Sequence, residues 1–269
     1  ILGNSNLKNS HKYHVSVGYS RNPNNKYNLT VNANYSKTDN AIAYNYIFNE
    51  QTGSSITQPV NVNGNWKTNV EVNYNRAINK ARNLMLDNQM QGSYNHNVDL
   101  ASTTKSTGSE RSIVNYWTLS DQLNLNYRPN DLYEFTLHAK SNYDLINSRR
   151  EGFNRINAGD YSVGFNTTLN LPWKFQVSTD ITMFARRGYQ QAEMNTTDWV
   201  WNGQLTRSFC KGHLLAKVQG FDILHQLSSI QYAVNAQGRT ESWHNSIPSY
   251  LMCSLSWRFN INPKKTILN

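Results

Sequence analysis

Side chains that could perform acid–base, nucleophilic or metal chemistry are few in this sequence and widely spaced. Seven histidines are scattered along the chain, and no two of them have metal-ligand spacing on a strand or a helix. The two cysteines are too few for a zinc site, and no disulfide between them is expected, because Cys210 lies at a predicted turn and Cys253 in mid-strand. No serine, histidine and acid can be placed as a catalytic set. We therefore expect neither an enzyme nor a bound cofactor or metal.

Strands are the elements that must position the remaining polar side chains. In the segment from Tyr250 to Phe259, apolar and polar residues alternate with a period of two, which is typical of a strand with one apolar and one polar face. The same alternation recurs through most of the chain and predicts about 11 strands. One face carries these residues of the last strand: Leu251, Cys253, Leu255, Trp257 and Phe259.

The connections between these strands alternate between short and long. The short ones are predicted at Asn22–Asn25, Asn79–Arg82, Arg128–Asp131, Leu171–Trp173 and Cys210–Gly212. The long ones are predicted at 50–58, 98–111, 147–157, 187–196 and 221–247. Lys26 to Asn49 is interpreted as one long strand with a bulge near residues 37–41. Short turns at one end and long loops at the other are typical of outer-membrane barrels.

Composition favours the same fold. Hydrophobic residues make up 38% and charged residues 16% of the 269 residues, while Tyr (16), Phe (9) and Trp (7) are plentiful. No apolar run approaches the 18 residues of a membrane-spanning helix. We predict an all-β, antiparallel transmembrane β-barrel over residues 1–260, followed by a polar periplasmic tail over 261–269. A soluble all-β repeat protein is the alternative fold.

Strand number and charge add two expectations. An odd number of strands does not close a single-chain bacterial barrel, so about 11 strands predict part of a larger one. The chain also begins at Ile1 without Met or a secretory signal, and we expect a fragment or a processed product.

The net charge of +9 does not indicate nucleic-acid binding, because the basic residues are dispersed near turns. Contacts with anionic lipid head groups explain them equally well.

Four stretches of the sequence, at residues 3–8, 35–42 with 59–64, 221–226 and 250–260, together resemble the barrel of TonB-dependent receptors of the Bacteroidetes type. Gly3-Asn4-Ser5-Asn6-Leu7-Lys8 is similar to the family's Gly-Asn-Pro-Asn-Leu-Lys-Pro motif, with Ser5 and Asn9 in place of its prolines. Residues 35–42 with 59–64 resemble the following hairpin, residues 221–226 resemble an FD-L-N segment, and residues 250–260 resemble the terminal strand. The resemblance covers nearly the whole chain in order.

This resemblance implies the C-terminal half of a 22-stranded barrel in the outer membrane. It also implies an upstream plug domain and TonB box, outer-membrane lipid and lipopolysaccharide around the barrel, and a possible surface lipoprotein partner. The barrel-assembly machinery would read the terminal aromatic residue Phe259. The expected function is the wall and loops of an importer for a bulky nutrient such as a glycan, a peptide or a metal chelate. A non-transporting structural subunit of an outer-membrane complex and a passive diffusion barrel are the alternatives.

The candidate site residues follow from the strand pattern. Polar residues expected to face the lumen are Lys67, Glu71, Asp87, Glu134, His138, Lys140 and Asp180. Residues expected to contact ligand or lipid are Arg149, Arg150, Arg155, Arg186, Arg187, Trp199 and Trp201. Asp121 is anomalous, because it falls on the apolar face between two leucines. Either the strand register slips there or a partner subunit covers the carboxylate.

Overall fold

The structure is a computed structural model, and it describes residues 2–49, 54–102, 109–149, 153–190, 192–227, 230–234, 239–243, 247 and 249–259. Within these ranges, helical structure is limited to four 3-10 turns of three residues each. None of the described helices is long and apolar enough to cross a membrane.

Fifteen strands account for most of the described residues. They are β1 (His11–Arg21), β2 (Tyr27–Asp39), β3 (Ala41–Asn49), β4 (Ser54–Val62), β5 (Asn65–Ala77), β6 (Leu84–Ser102), β7 (Ser109–Tyr127), β8 (Tyr133–Ser148), β9 (Ile156–Leu171), β10 (Phe175–Arg187), β11 (Thr197–Phe209), β12 (Leu214–Phe221), β13 (Ile230–Val234), β14 (Arg239–Trp243) and β15 (Tyr250–Trp257).

Eleven of these strands form one sheet in the order β1-β2-β5-β6-β7-β8-β9-β10-β11-β12-β15, and every neighbouring pair is antiparallel. The hairpins β3-β4 and β13-β14 are separate two-stranded sheets. The prediction of an all-β chain with an antiparallel sheet of 11 strands is confirmed. The edge strands β1 and β15 do not pair with each other, so the sheet is open.

The register keeps the apolar side chains on a single face. Cross-strand pairing links Leu125 to Leu137, Leu137 to Phe165, Phe165 to Ile181 and Ile181 to Trp201. Because paired residues lie on the same side of a sheet, this row and those above and below it form one continuous apolar face. The opposite face carries mainly Asn, Gln, Ser and Thr.

The apolar face is not covered by a second layer of this chain. Its side chains are largely exposed, with Val17 at 64%, Leu251 at 72% and Leu255 at 71%. The buried hydrophobic residues instead lie towards the end of the sheet that carries the long loops. They are Ala43, Val98, Val114, Ile146, Ala158, Ala185, Met194 and Val200. Several of them, including Val114 and Ile146, lie on the face that is polar elsewhere.

The strand boundaries differ from the predicted ones mainly at the long-loop end. The strand predicted over residues 26–49 breaks at Asn40, which has a left-handed backbone (φ 52°), and the returning strand breaks at Gly64 (φ 109°). These breaks turn β3 and β4 into a hairpin of their own. β6 and β7 also extend into the loop predicted over 98–111, where Leu100 pairs with Arg111. Backbone pairing continues there although apolar and polar side chains no longer alternate along the sequence.

Candidate functional site

Aromatic side chains form a band across the apolar face towards the long-loop end. Tyr35, Trp66, Tyr94 and Trp117 lie on four adjacent strands, and their ring centroids follow one another at 6.0, 4.9 and 4.5 Å. Cross-strand pairing of Thr68 with Tyr94 and of Tyr94 with Trp117 brings these rings to the same height. We call this row the outer aromatic band.

A second aromatic row crosses the same face near the short turns. Tyr27 contacts Tyr74 at 5.9 Å, and Tyr127 contacts Phe135 at 6.3 Å. Further along the row, the guanidinium of Arg207 lies 4.6 Å from the ring centres of both Phe175 and Phe209, where cation–π attraction stabilises it. The remaining members of this inner aromatic band include Trp173, Trp257 and Phe259.

The two bands are separated by a similar number of residues along the strands. Tyr27 and Tyr35 are eight positions apart on β2, and Trp117 and Tyr127 are ten positions apart on β7. At about 3.3 Å per residue and a tilt of about 40°, these intervals correspond to a height of about 20–25 Å. Outer-membrane barrels have an apolar belt of about 25 Å between two aromatic girdles. The separation of the two bands is therefore similar to the height of such a belt.

Asp121 is a charged side chain that lies on the apolar face between the two bands. Its register is continuous, since it pairs with Met90 on one side and with Ser141 on the other. The proposed register slip is therefore wrong, and the carboxylate does lie on the apolar face. The amide of Asn88 donates a hydrogen bond of 2.7 Å to Asp121 Oδ1. This bond offsets part of the cost of an acid in an apolar environment.

The residues predicted to face a lumen share the polar face, and amides hold the carboxylates there. Asn73 and Gln89 donate to Glu71 at 2.8 and 3.3 Å. Asp87 accepts bonds from Asn75 and Asn126, and Asp180 accepts one of 2.8 Å from Asn202. In the described part of the chain, neither Lys67 nor Lys140 forms an ion pair with them. Glu71, Asp87 and Asp180 thus accept their hydrogen bonds from neutral amide donors.

His138 is held in place across three strands of the polar face. Its Nε2 lies 3.3 Å from Thr182 Oγ1, with Gly164 on the strand between them. A β-carbon at Gly164 would overlap both the imidazole and the threonine hydroxyl. A larger residue at this position would force the imidazole or the hydroxyl to shift. Glu134 lies on the same face and is exposed.

A tyrosine in the loop between β10 and β11 anchors that loop to the sheet. The hydroxyl of Tyr189 donates to the carboxylate of Asp160, with both oxygens at 3.0 Å. Burial, followed by the negative charge of Asp160, raises the pKa of Tyr189 well above its usual range. On the adjacent strands, Tyr116 donates to Asp144 Oδ1 at 3.1 Å. Sequence reasoning missed these pairs, because no spacing in the chain links them.

The predicted arginine cluster divides between different environments. Arg187 donates to the carbonyl of Thr196 at 2.6 Å and to Thr197 Oγ1 at 2.6 Å, and so closes the base of the β10–β11 loop. Arg186 lies on the polar face opposite Asp160, because neighbours along a strand point to opposite faces. Arg149 and Arg155 are exposed beside the ends of β8 and β9. The prediction for Arg150 lies outside the described residues.

Trp199 and Trp201 lie on the apolar face near its outer margin. They pair across β10 with Met183 and Ile181, and Trp201 Nε1 donates to Thr179 Oγ1 at 2.8 Å. Phe259 follows the last strand and is 81% exposed on the short-turn side. The predicted tail over 261–269 lies outside the described residues.

Among the described residues, no group of three or more His, Cys, Asp or Glu side chains is placed to hold a metal ion. Comparison of the chain with protein-family models, with curated proteins and with solved structures found no match. The sheet and its two faces are therefore the features on which a functional interpretation rests.

Proposed function

We propose that this chain forms part of the wall of an outer-membrane β-barrel, with its apolar face against lipid and its polar face towards a lumen. One observation carries the proposal. The 11-stranded sheet has an exposed apolar face bounded by two aromatic bands whose separation matches a membrane belt. Tyrosine and tryptophan at both margins of such a belt are typical of membrane–water interfaces.

The physical argument is that the apolar face needs an apolar environment. Each square ångström of apolar surface removed from water contributes about 25 cal/mol. In a soluble sheet this contribution comes from a core between two layers. Here most of the described buried hydrophobic residues lie towards the long-loop end of the sheet, and residues such as Val17 and Leu255 stay exposed. Lipid would provide the missing contact along the whole belt.

Closure of the barrel would require strands that pair with β1 and β15. Both edges present unpaired backbone groups, and such edges are not stable in a bilayer unless other strands satisfy them. We propose that further strands, from the same polypeptide or from another one, complete the wall.

As its particular function, we propose import of a bulky nutrient in the manner of a TonB-dependent receptor. Two features support it: the resemblance of the segments at 3–8, 35–42 and 221–226, and a polar face rich in amides that would line a wide aqueous lumen. A non-transporting subunit of an outer-membrane complex is the second candidate. A carboxylate on the lipid-facing side, Asp121, favours it, since intramembrane acids often mark contacts with partners.

Cysteine accessibility tests the assignment of the two faces. In a background with both native cysteines replaced by serine, Leu137→Cys places a thiol on the apolar face and Thr136→Cys places one on the polar face. In native membranes we expect a membrane-impermeant maleimide to label the Thr136→Cys variant and to spare the Leu137→Cys variant. In detergent-free denaturant both should react. Equal labelling of the two variants in membranes would refute the proposed wall.

Sequencing and intact-mass measurement of the protein extracted from outer membranes separate the two particular functions. A plug domain and a TonB box in the same polypeptide would support the importer. A stable stoichiometric partner without either of them would support the structural subunit.

A further inference from the structure

Arg207 carries a positive charge on the apolar face of the sheet. It pairs with Phe175 on β10 and with Ala216 on β12, so all three side chains lie on the same side. Phe209, two positions further along β11, also lies on this side and is followed by the turn at Cys210–Gly212. The charge therefore lies at the inner aromatic band, at the margin of the apolar belt.

Two aromatic rings hold the guanidinium of Arg207 in place. Its Cζ atom is 4.6 Å from the ring centres of both Phe175 and Phe209, and the residue is half-buried. Ala216, its neighbour on the other side, has only a methyl group with which to cover it. The rings fix the guanidinium by cation–π attraction but supply no hydrogen-bond acceptor.

The described part of the chain does not provide a partner for this charge. Nε of Arg207 is buried without a hydrogen bond, and the two Nη groups are accessible and also form none with the described residues. The sequence has no Asp or Glu at 161–179, 199–221 or 250–259. Asp180, further along β10, lies on the opposite face and accepts a hydrogen bond from Asn202. A guanidinium fixed in this way requires an acceptor from outside the described chain.

Arg76 is a second arginine on the apolar face at the inner band, and its environment differs. It pairs with Tyr27 and Leu86, which places it at a comparable height. Its side chain is exposed, and no aromatic ring of the described residues lies against its guanidinium. Arg76 can therefore extend into water, whereas Arg207 is held against the sheet.

We propose that Arg207 binds the phosphate of a phospholipid head group. The paired N–H donors of a guanidinium match the geometry of phosphate oxygens. Leu205 and Val218 form the next row of the apolar face, and they are 45% and 42% exposed. Leu255, beside Ala216, is 71% exposed. An acyl chain can cover this apolar surface while its head group meets the charge, so a phospholipid fits better than free phosphate. The assignment rests on the proposed membrane function.

Native mass spectrometry of the intact protein in detergent, with phosphatidylglycerol added, tests the site. Arg207→Gln removes the charge and keeps a polar side chain, whereas Phe175→Leu keeps the charge and removes one ring. Arg76→Gln makes the same charge change on the same face and at the same band, and it is the matched control. Circular dichroism verifies that each variant is folded.

We expect Arg76→Gln to bind phosphatidylglycerol as tightly as the wild type and Phe175→Leu to bind it more weakly. Arg207→Gln should lose about tenfold or more in affinity, because charge-assisted hydrogen bonds are lost. Diacylglycerol, which lacks the phosphate, and inorganic phosphate, which lacks the acyl chains, should both bind the wild type more weakly than the lipid does.

An unchanged affinity of Arg207→Gln, or an equal loss in Arg76→Gln, would overturn the proposal. Diacylglycerol or inorganic phosphate bound as tightly as phosphatidylglycerol would overturn the assignment to a phospholipid, and unchanged binding by Phe175→Leu would overturn the role of the rings. The cysteine-labelling experiment keeps Arg207 intact. A shielded Leu137→Cys together with no effect of Arg207→Gln would therefore remove the lipid site and leave the proposed wall.

Discussion

Substitution of Leu123 by arginine tests whether the apolar face contacts lipid. Leu123 lies on β7 between Trp117 and Tyr127, near the middle of the belt, and is 39% exposed. An arginine facing lipid at mid-depth costs about 2–4 kcal/mol. At about 1.4 kcal/mol per factor of ten, the folding equilibrium would fall roughly 30- to 700-fold. On a face exposed to water, a surface substitution changes stability by less than about 0.5 kcal/mol.

Asn124→Arg is the matched control, because it adds the same charge to the next residue on the opposite face. Asn124 pairs with Asp87 and with His138, so the new cation lies near a carboxylate on the polar face. We expect its stability to stay within about 1 kcal/mol of the wild type. Reversible denaturant unfolding in phospholipid vesicles, followed by tryptophan fluorescence, measures both variants. If Leu123→Arg costs less than about 0.5 kcal/mol, or no more than the control, the lipid-facing assignment is wrong.

Three further predictions concern single contacts. Gly164→Ala should lower the free energy of unfolding by about 1–3 kcal/mol through overpacking, and adding His138→Ala should restore most of it. Because the pKa of Tyr189 is raised on folding, its hydrogen bond should stabilise the β10–β11 loop fully below pH about 10 and be lost as the pH rises through the raised value. Proteolysis of that loop should therefore increase at alkaline pH in the wild type, and Tyr189→Phe should remove this dependence. Asn88→Leu should destabilise the protein in vesicles by about 1–3 kcal/mol by leaving Asp121 unpaired, whereas Asn88→Leu/Asp121→Leu should match or exceed the wild type.

Each of these predictions has an outcome that contradicts it. Failure of the second substitution to rescue Gly164→Ala would mean that the imidazole does not limit the space at this position. An unchanged alkaline rise in proteolysis in the tyrosine variant would attribute it to other groups. A destabilised double leucine variant would show that the polar pair on the apolar face contributes net stability, as a contact with a partner would.

The strands of the belt were predictable because one physical constraint acts on every residue there. Each side chain from Tyr13 to Tyr19 on β1 faces either the apolar or the polar side, so apolar and polar residues alternate along the strand. All five short turns contain asparagine, proline or glycine, and they were also placed correctly. The number of strands in the main sheet followed from these two signals.

Beyond the outer aromatic band, side chains no longer alternate between an apolar and a polar face. The strand bounds predicted for that end of the sheet were therefore wrong. Leu100 and Arg111 pair in a regular ladder although their sequence resembles a loop, because backbone hydrogen bonds do not depend on alternating side chains. The break at Asn40 is a local left-handed conformation that alternation cannot distinguish from a bulge. Apolar residues such as Ile146 are buried on the opposite face at this end, which reverses the pattern used to read the belt.

The sequence by itself determined the two faces, the strand count of the sheet and the position of the turns, since these depend on residues close together along the chain. Only the tertiary structure decided which side chains meet across strands. Tyr189 and Asp160 are 29 positions apart, and Tyr116 and Asp144 are 28 positions apart. Such contacts depend on strand register and on the packing of turns, and both are set by the cooperative pairing of the whole sheet.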